Sequence, residues 1–234
     1  MESVGVIYVV DHNLLKKHKE ARLRQEAADR KTELKGLLIK IFYAVEEGNL
    51  PQLEEFCSNL PQKDIEEIFF WDRDVDERLK GFHQYCDLLS FAIIKKQYEV
   101  AEWLCSTEKY SIRWPETLYK CLHKGDLVAL QYLLKLNKNI NIYSKTLSDT
   151  RALNGIVYNT QGFEKIKEFI DFFDTQRWDY KKRDGKGHSL LFYSVTASNI
   201  DCFEYLLTRG LSPREKDNEG ENLLFALVRK NNIL

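Results

Sequence analysis

Long apolar runs are missing from this sequence. The longest early one, Val4 to Val10, is too short to span a bilayer and lacks the basic start and small-residue cleavage site of a signal peptide. No membrane span is expected. A dominant charge is missing as well: 35 Lys and Arg stand against 36 Asp and Glu, leaving a net charge of −1. Bulk electrostatics therefore give no reason to expect nucleic acid as a partner. The five cysteines are an odd number without a regular framework, which argues against a disulfide scaffold and for a reducing compartment, the cytosol by default. At 44% hydrophobic and 30% charged residues, the composition is that of a globular chain able to bury a sizeable core.

The signatures of chemistry are absent too. There is no Gly-rich phosphate loop, paired zinc-ligand motif or nucleophile elbow. His83 and Cys86 with Cys121 and His123 contain the right atoms for zinc but not the close paired spacing of a structural site. Asp72, Asp74 and Asp76 imitate the start of a calcium loop, yet Glu77 replaces its glycine and His83 stands where the bidentate glutamate belongs. Cys57, Cys105 and Cys121 fall at apolar helix positions, where a thiol acts as a small hydrophobe, and nothing pairs Cys202 with a histidine base. No catalytic residue, metal site or cofactor is expected.

What is present is a repeat. Asp184, Gly187 and Leu191 recur as Asp217, Gly220 and Leu224, each 33 residues on. Leu190, Leu191, Ser194 and Val195 fall at helical spacing, as do Phe203, Leu206 and Leu207, giving two short helices with one apolar face each. Neither face can be buried within one unit. Gly210 follows the second helix, where a residue without a Cβ can take the left-handed cap, and Pro213 blocks resumption. With Asp184, Gly187 and Ser189 as its D-x-x-G-x-T turn and Leu206, Leu207 and Gly210 as its closing L-L-x-x-G, the stretch resembles the ankyrin-repeat family.

Degraded units precede it. Ile41, Ala44, Gly48, Phe56 and Cys57 occupy the family's L-x-x-A…G…L-L positions in a first unit; Leu89, Ala92, Lys96, Leu104 and Cys105 do so in a second. A third follows as Leu118, Cys121, Gly125, Leu133 and Leu134, with Asn137 at the terminal glycine position. A fourth is expected with helices near Ala152 to Tyr158 and Phe163 to Phe173, without the turn glycine or the L-L pair. The last has only its first helix, so Leu223, Leu224 and Leu227 need cover, from more chain beyond Leu234 or from another surface. Residues 1–35 read as a capping segment, a short strand and then a helix starting at Asp11 or Asn13, running to about Glu47 and broken at Gly36; residues 36–234 read as the array.

The expectation is an all-α ankyrin-type solenoid of about five degraded repeats plus a partial one. The resemblance implies non-catalytic binding of another protein through turn tips and the concave end of each first helix. By position it marks Gly185, Lys186, His188, Thr196 and Ala197 in the fifth unit; Asn218, Glu219, Glu221, Arg229 and Lys230 in the sixth; His123 and Lys124 in the third; Glu46 and Glu47 in the first. Charge and aromatic content add the connection holding Trp178, Tyr180, Lys181, Lys182 and Arg183, since an aromatic flanked by charge can anchor a partner. Glu46 to Lys80 carries eleven Asp and Glu against four Lys and Arg, so the array is expected to be acidic early and basic late. Two competing readings are a regulatory or targeting part of a larger enzyme and a bacterial effector sent into host cells.

Overall fold

The structure, a computed structural model, describes residues 12–58, 60–61, 88–107, 111–146, 151–158 and 162–230. The Val4–Val10 strand, Trp71 and most of the acidic stretch lie outside them. The described chain is an all-α solenoid. First helices are the C-terminal end of α1 (His12–Glu46), then α3 (Leu88–Ile94), α5 (Trp114–Lys124), a 3-10 helix (Ala152–Ile156), α8 (Leu190–Ala197) and α10 (Leu223–Lys230). Second helices are α2 (Leu50–Ser58), α4 (Tyr98–Ser106), α6 (Leu127–Leu136), α7 (Phe163–Thr175) and α9 (Ile200–Thr208). The helices of the array bury their apolar stripes against their unit partners and neighbouring units, forming one continuous core from Leu34 to Ala226, while α10 packs on α8 and leaves Leu224, Phe225 and Leu227 exposed.

One device recurs at the end of four first helices. Gly48, Lys96, Gly125 and Ser198 all take positive φ, at 68°, 61°, 70° and 56°. The residue after each donates its amide to the carbonyl five positions back: Asn49 to Ala44, Gln97 to Ala92, Asp126 to Cys121 and Asn199 to Ser194. This left-handed closure satisfies the last carbonyls of the helix. The four acceptor residues are small and fully buried, so neighbouring first helices can pack closely there. Asn49, Asp126 and Asn199 then cap the next helix with their side chains, accepting from Gln52, Ala129 and Cys202 amides. One turn thus ends one helix and starts another.

Two expectations need correction. Gly36 does not break α1, which runs unbroken for 35 residues because Leu34, Leu38 and Ile41 anchor that stretch in the core. The side chains from Lys19 to Glu33 are all exposed. This part of the helix is held locally by pairs such as Arg22 with Glu26 at 2.8 Å. In the first unit, Leu53 and Cys57 face inward and Phe56 is half-buried, a roll of the second helix relative to α4, α6 and α9, where Leu104, Leu133 and Leu206 fill the core. Trp114 opens α5.

The fourth unit is the irregular one. Its helices fall where the spacing predicts, but the first is a five-residue 3-10 helix and the second runs for thirteen residues. The 3-10 helix packs closely on α5, with Gly155 against the Tyr119 carbonyl, and far less closely on α8.

Candidate functional site

The candidate site is built from the hairpins that join the later units. Asp184 organises the first: its Oδ1 accepts the amides of Lys186 and His188 at 2.9 Å each, and its Oδ2 accepts the Tyr193 hydroxyl at 2.5 Å. Burial alone would raise its pKa, but these bonds outweigh it and hold the carboxyl below the usual range. Asp217 does the same 33 residues later, accepting from Glu219 at 2.9 Å and Glu221 at 2.8 Å. Gly187 and Gly220 supply the positive φ, at 81° and 82°, that each turn requires. The hairpins are also tied to one another. Asn218 donates its amide to the Lys186 carbonyl at 3.0 Å and its Nδ2 to that of Gly185 at 2.8 Å.

The architecture is an ankyrin-type solenoid. No protein-family model and no curated protein matches the sequence. Among solved structures, the chain is similar to the ankyrin repeat domain of Bcl-3, a member of the IkappaB family, at 16% identity and a TM-score of 0.49 over 83% of this chain and 81% of that one. It is also similar to a chain in the complex of the Bd0816 predatory endopeptidase from Bdellovibrio bacteriovorus with the immunity protein Bd3460, at 14% identity and a TM-score of 0.48 over 83% and 93%.

Arginines stitch the ankyrin-type hairpins together, a role the sequence reading did not assign. Arg151 donates to the Lys182 carbonyl at 2.9 Å and to that of Arg183. Arg183 in turn donates to the Lys216 carbonyl at 2.7 Å and reaches Glu215 at 3.6 Å. Glu215 is buried and also receives the hydroxyl of Ser189, the cap of α8. Tyr143 lies beneath this seam, with Lys182 Nζ 4.7 Å from its ring centroid and its hydroxyl on the Asp179 carbonyl at 2.9 Å. The signal was in the sequence: Arg151 and Arg183 each precede their acceptors by about one repeat.

The expected surface therefore divides. Lys181, Lys182, Gly185, Lys186, Asn218 and Glu219 are exposed on adjacent hairpins. Arg183 is also exposed but committed to the stitching. Tyr180 is withdrawn as an anchor, being only 3% exposed with its ring on Phe173. Trp178 is half-buried against Phe172 and Phe173 and is mainly packing. His188 also turns inward, stacked on Phe192 at 4.0 Å and directed at Asp217. Glu221 is half-buried, and the Arg229 and Lys230 side chains lie outside the described residues.

Glu46 and Glu47, His123 and Lys124, and Thr196 and Ala197 form a separate set, each pair in the last turn before a left-handed cap. Glu46 is ion-paired to Lys95 of the next unit, and Glu47 is exposed. The Thr196 hydroxyl returns to its own helix, on the Tyr193 carbonyl at 2.9 Å. His83 and Cys86 lie outside the described residues, and Cys121 is a fully buried helix residue.

His123 carries a pH prediction. Burial, and then Lys120 and Lys124, lower its pKa, and its Nδ1 is buried without a hydrogen-bond partner among the described residues. A folded pKa below the ordinary 6.5 means the unfolded chain takes up the proton first. Its contribution to stability is therefore present above about pH 6.5 and lost as pH falls through the lowered value. Between pH 7.5 and 5.5 the urea midpoint should fall, and by less in His123→Gln; equal falls in both proteins would refute the assignment.

Proposed function

We propose that the chain is a non-catalytic binding module that recognises an acidic segment of another protein through the hairpins of its fifth and sixth units. One observation carries this reading. Of the carboxylates of these hairpins, Asp184, Glu215 and Asp217 are consumed by bonds to neighbouring groups of the chain and Glu221 is half-buried, so that Glu219 alone is exposed beside the exposed Lys181, Lys182, Lys186 and Arg214. The local charge offered to a partner is therefore positive although the whole chain is close to neutral. Rigid hairpins lose little entropy on binding, which favours this scaffold over a mobile loop. Cys57, Cys105, Cys121 and Cys202 are thiols rather than halves of disulfides, which suits a reducing compartment such as the cytosol.

The test is charge reversal. Lys181→Glu, Lys182→Glu, Lys186→Glu should abolish capture of the acidic partners retained by the native chain, with unchanged helicity and melting temperature. Raising salt should weaken the native interaction in parallel. Identical captured sets for both proteins would overturn the reading.

A further inference from the structure

The truncated first helix of the fourth unit leaves a hollow beside the turn between α8 and α9. Where four other units carry their first helix to a left-handed cap, this one stops after a five-residue 3-10 helix. The result is a solvent-open cavity of about 560 Å³, whose lining includes Val157, Tyr158, Ile166 and Ile200, with Ser198, Asn199 and Asp201 as polar members. Its walls are fixed. Asn199 Nδ2 donates to the Val157 carbonyl at 2.9 Å, bridging the two units, while Val157 and Ile166 belong to the core.

Ile200, 68% exposed, and Tyr158, 36% exposed, are the large exposed hydrophobic residues of its lining. Scattered exposed apolar residues call for no explanation, but two at the rim of one preformed cavity do. Asp201 is the charged group at the cavity and is exposed.

We propose that this cavity is an anchor site for a partner polypeptide, receiving one large apolar side chain while Asp201 pairs with a lysine or arginine beside it. A preformed cavity with exposed hydrophobic residues at its rim is a setting in which a few partner side chains dominate binding. The carboxylate fixes the sign of the neighbouring charge and rejects acidic segments. The site is distinct from the basic hairpins in position and opposite in charge preference, so the two can be tested separately.

The probe is a displayed library of random 12-residue peptides, selected against the whole chain and followed by fluorescence polarisation of the enriched sequences. Peptides combining Leu, Ile, Phe or Trp with Lys or Arg within four residues should emerge. Their affinity should fall at least tenfold on Ile200→Asp and be unchanged by Lys181→Glu, Lys186→Glu. Selection on Asp201→Lys should yield acidic residues in place of basic ones. Both changes are at exposed positions, and circular dichroism melts would verify that each variant is folded. The proposal is overturned if selection yields no apolar and basic pairing, if enriched peptides bind Ile200→Asp as tightly as the native chain, or if the charge preference survives Asp201→Lys. Binding of hydrophobic small molecules but no peptide would also overturn it.

Discussion

Phe173→Ala is expected to destabilise the chain by about 3–5 kcal/mol, the usual effect of truncating a fully buried aromatic residue. In a domain of this size that corresponds to a melting temperature lower by roughly 10 °C or more. Phe173 is completely buried at the end of α7, and its ring meets Phe169 at 6.3 Å, Trp178 at 5.3 Å and Tyr180 at 6.3 Å. It joins the helix to the connection that follows, so its loss removes support from Trp178 and Tyr180 as well as opening a cavity. The Tyr180 hydroxyl lies 3.4 Å from Arg209, which also pairs with Asp171 and Asp174, and the damage should pass from the fourth unit to the fifth through these contacts. Stacked units share stability only with their neighbours. Hydrogen exchange should therefore rise most around the Asp184 hairpin, while α3 and α4 stay protected. Phe172→Ala, at a half-buried position beside it, should have a clearly smaller effect. A melting temperature for Phe173→Ala within 3 °C of the native value would refute the account.

The stretch from Asp184 to Leu227 was legible because its determinants are local. Gly187, Gly210 and Gly220 sit at positive φ, Ser189 caps its helix, and Asp184 and Asp217 close their own turns. Each can be recognised within five residues of sequence. Gly48 and Gly125 announced the ends of first helices in the same way, whereas Lys96 and Ser198 adopt that conformation without glycine and were visible only by spacing. Gly36 misled because a helix tolerates glycine when its neighbours are packed, and nothing about Leu34 and Leu38 in isolation says that they are. The fourth unit could be placed but not described: composition does not distinguish a 3-10 helix from a short α-helix when tertiary contact decides between them.

The candidate surface was less legible than the fold. Basic residues around Tyr180 and His188 suggested exposure, yet both rings are drawn inward by partners elsewhere in the chain, Phe173 and Phe192. Charge pattern can locate a hairpin; it cannot say which members of the hairpin face water. Of the cavity's lining only Ala197 was marked in the sequence, since the cavity arises from a helix that stops early next to one that does not.

Gly155→Ala is the second large effect expected, about 2–4 kcal/mol destabilising. Space sets this effect, because this glycine has no positive φ. A Cβ at residue 155 would lie 2.4 Å from the Tyr119 carbonyl oxygen, 3.1 Å from the Leu122 Cβ and 3.2 Å from the His123 amide nitrogen. Two of the three are backbone atoms inside α5, so no rotamer change can make room, and the 3-10 helix must lift from α5. Gly36→Ala is the opposite case: nothing stands within 4 Å of the added methyl. In the middle of α1 that change should stabilise by about 0.5–1 kcal/mol. Lifting the 3-10 helix would also displace Val157, which accepts from Asn199 and lines the proposed anchor cavity. Gly155→Ala should therefore weaken binding of the apolar and basic peptides while leaving recognition by Lys181, Lys182 and Lys186 intact. Urea denaturation and the peptide assay read the two consequences independently. If Gly155→Ala were as stable as the native chain, the close seat of the fourth unit on α5 would be wrong, and with it the origin assigned to the cavity.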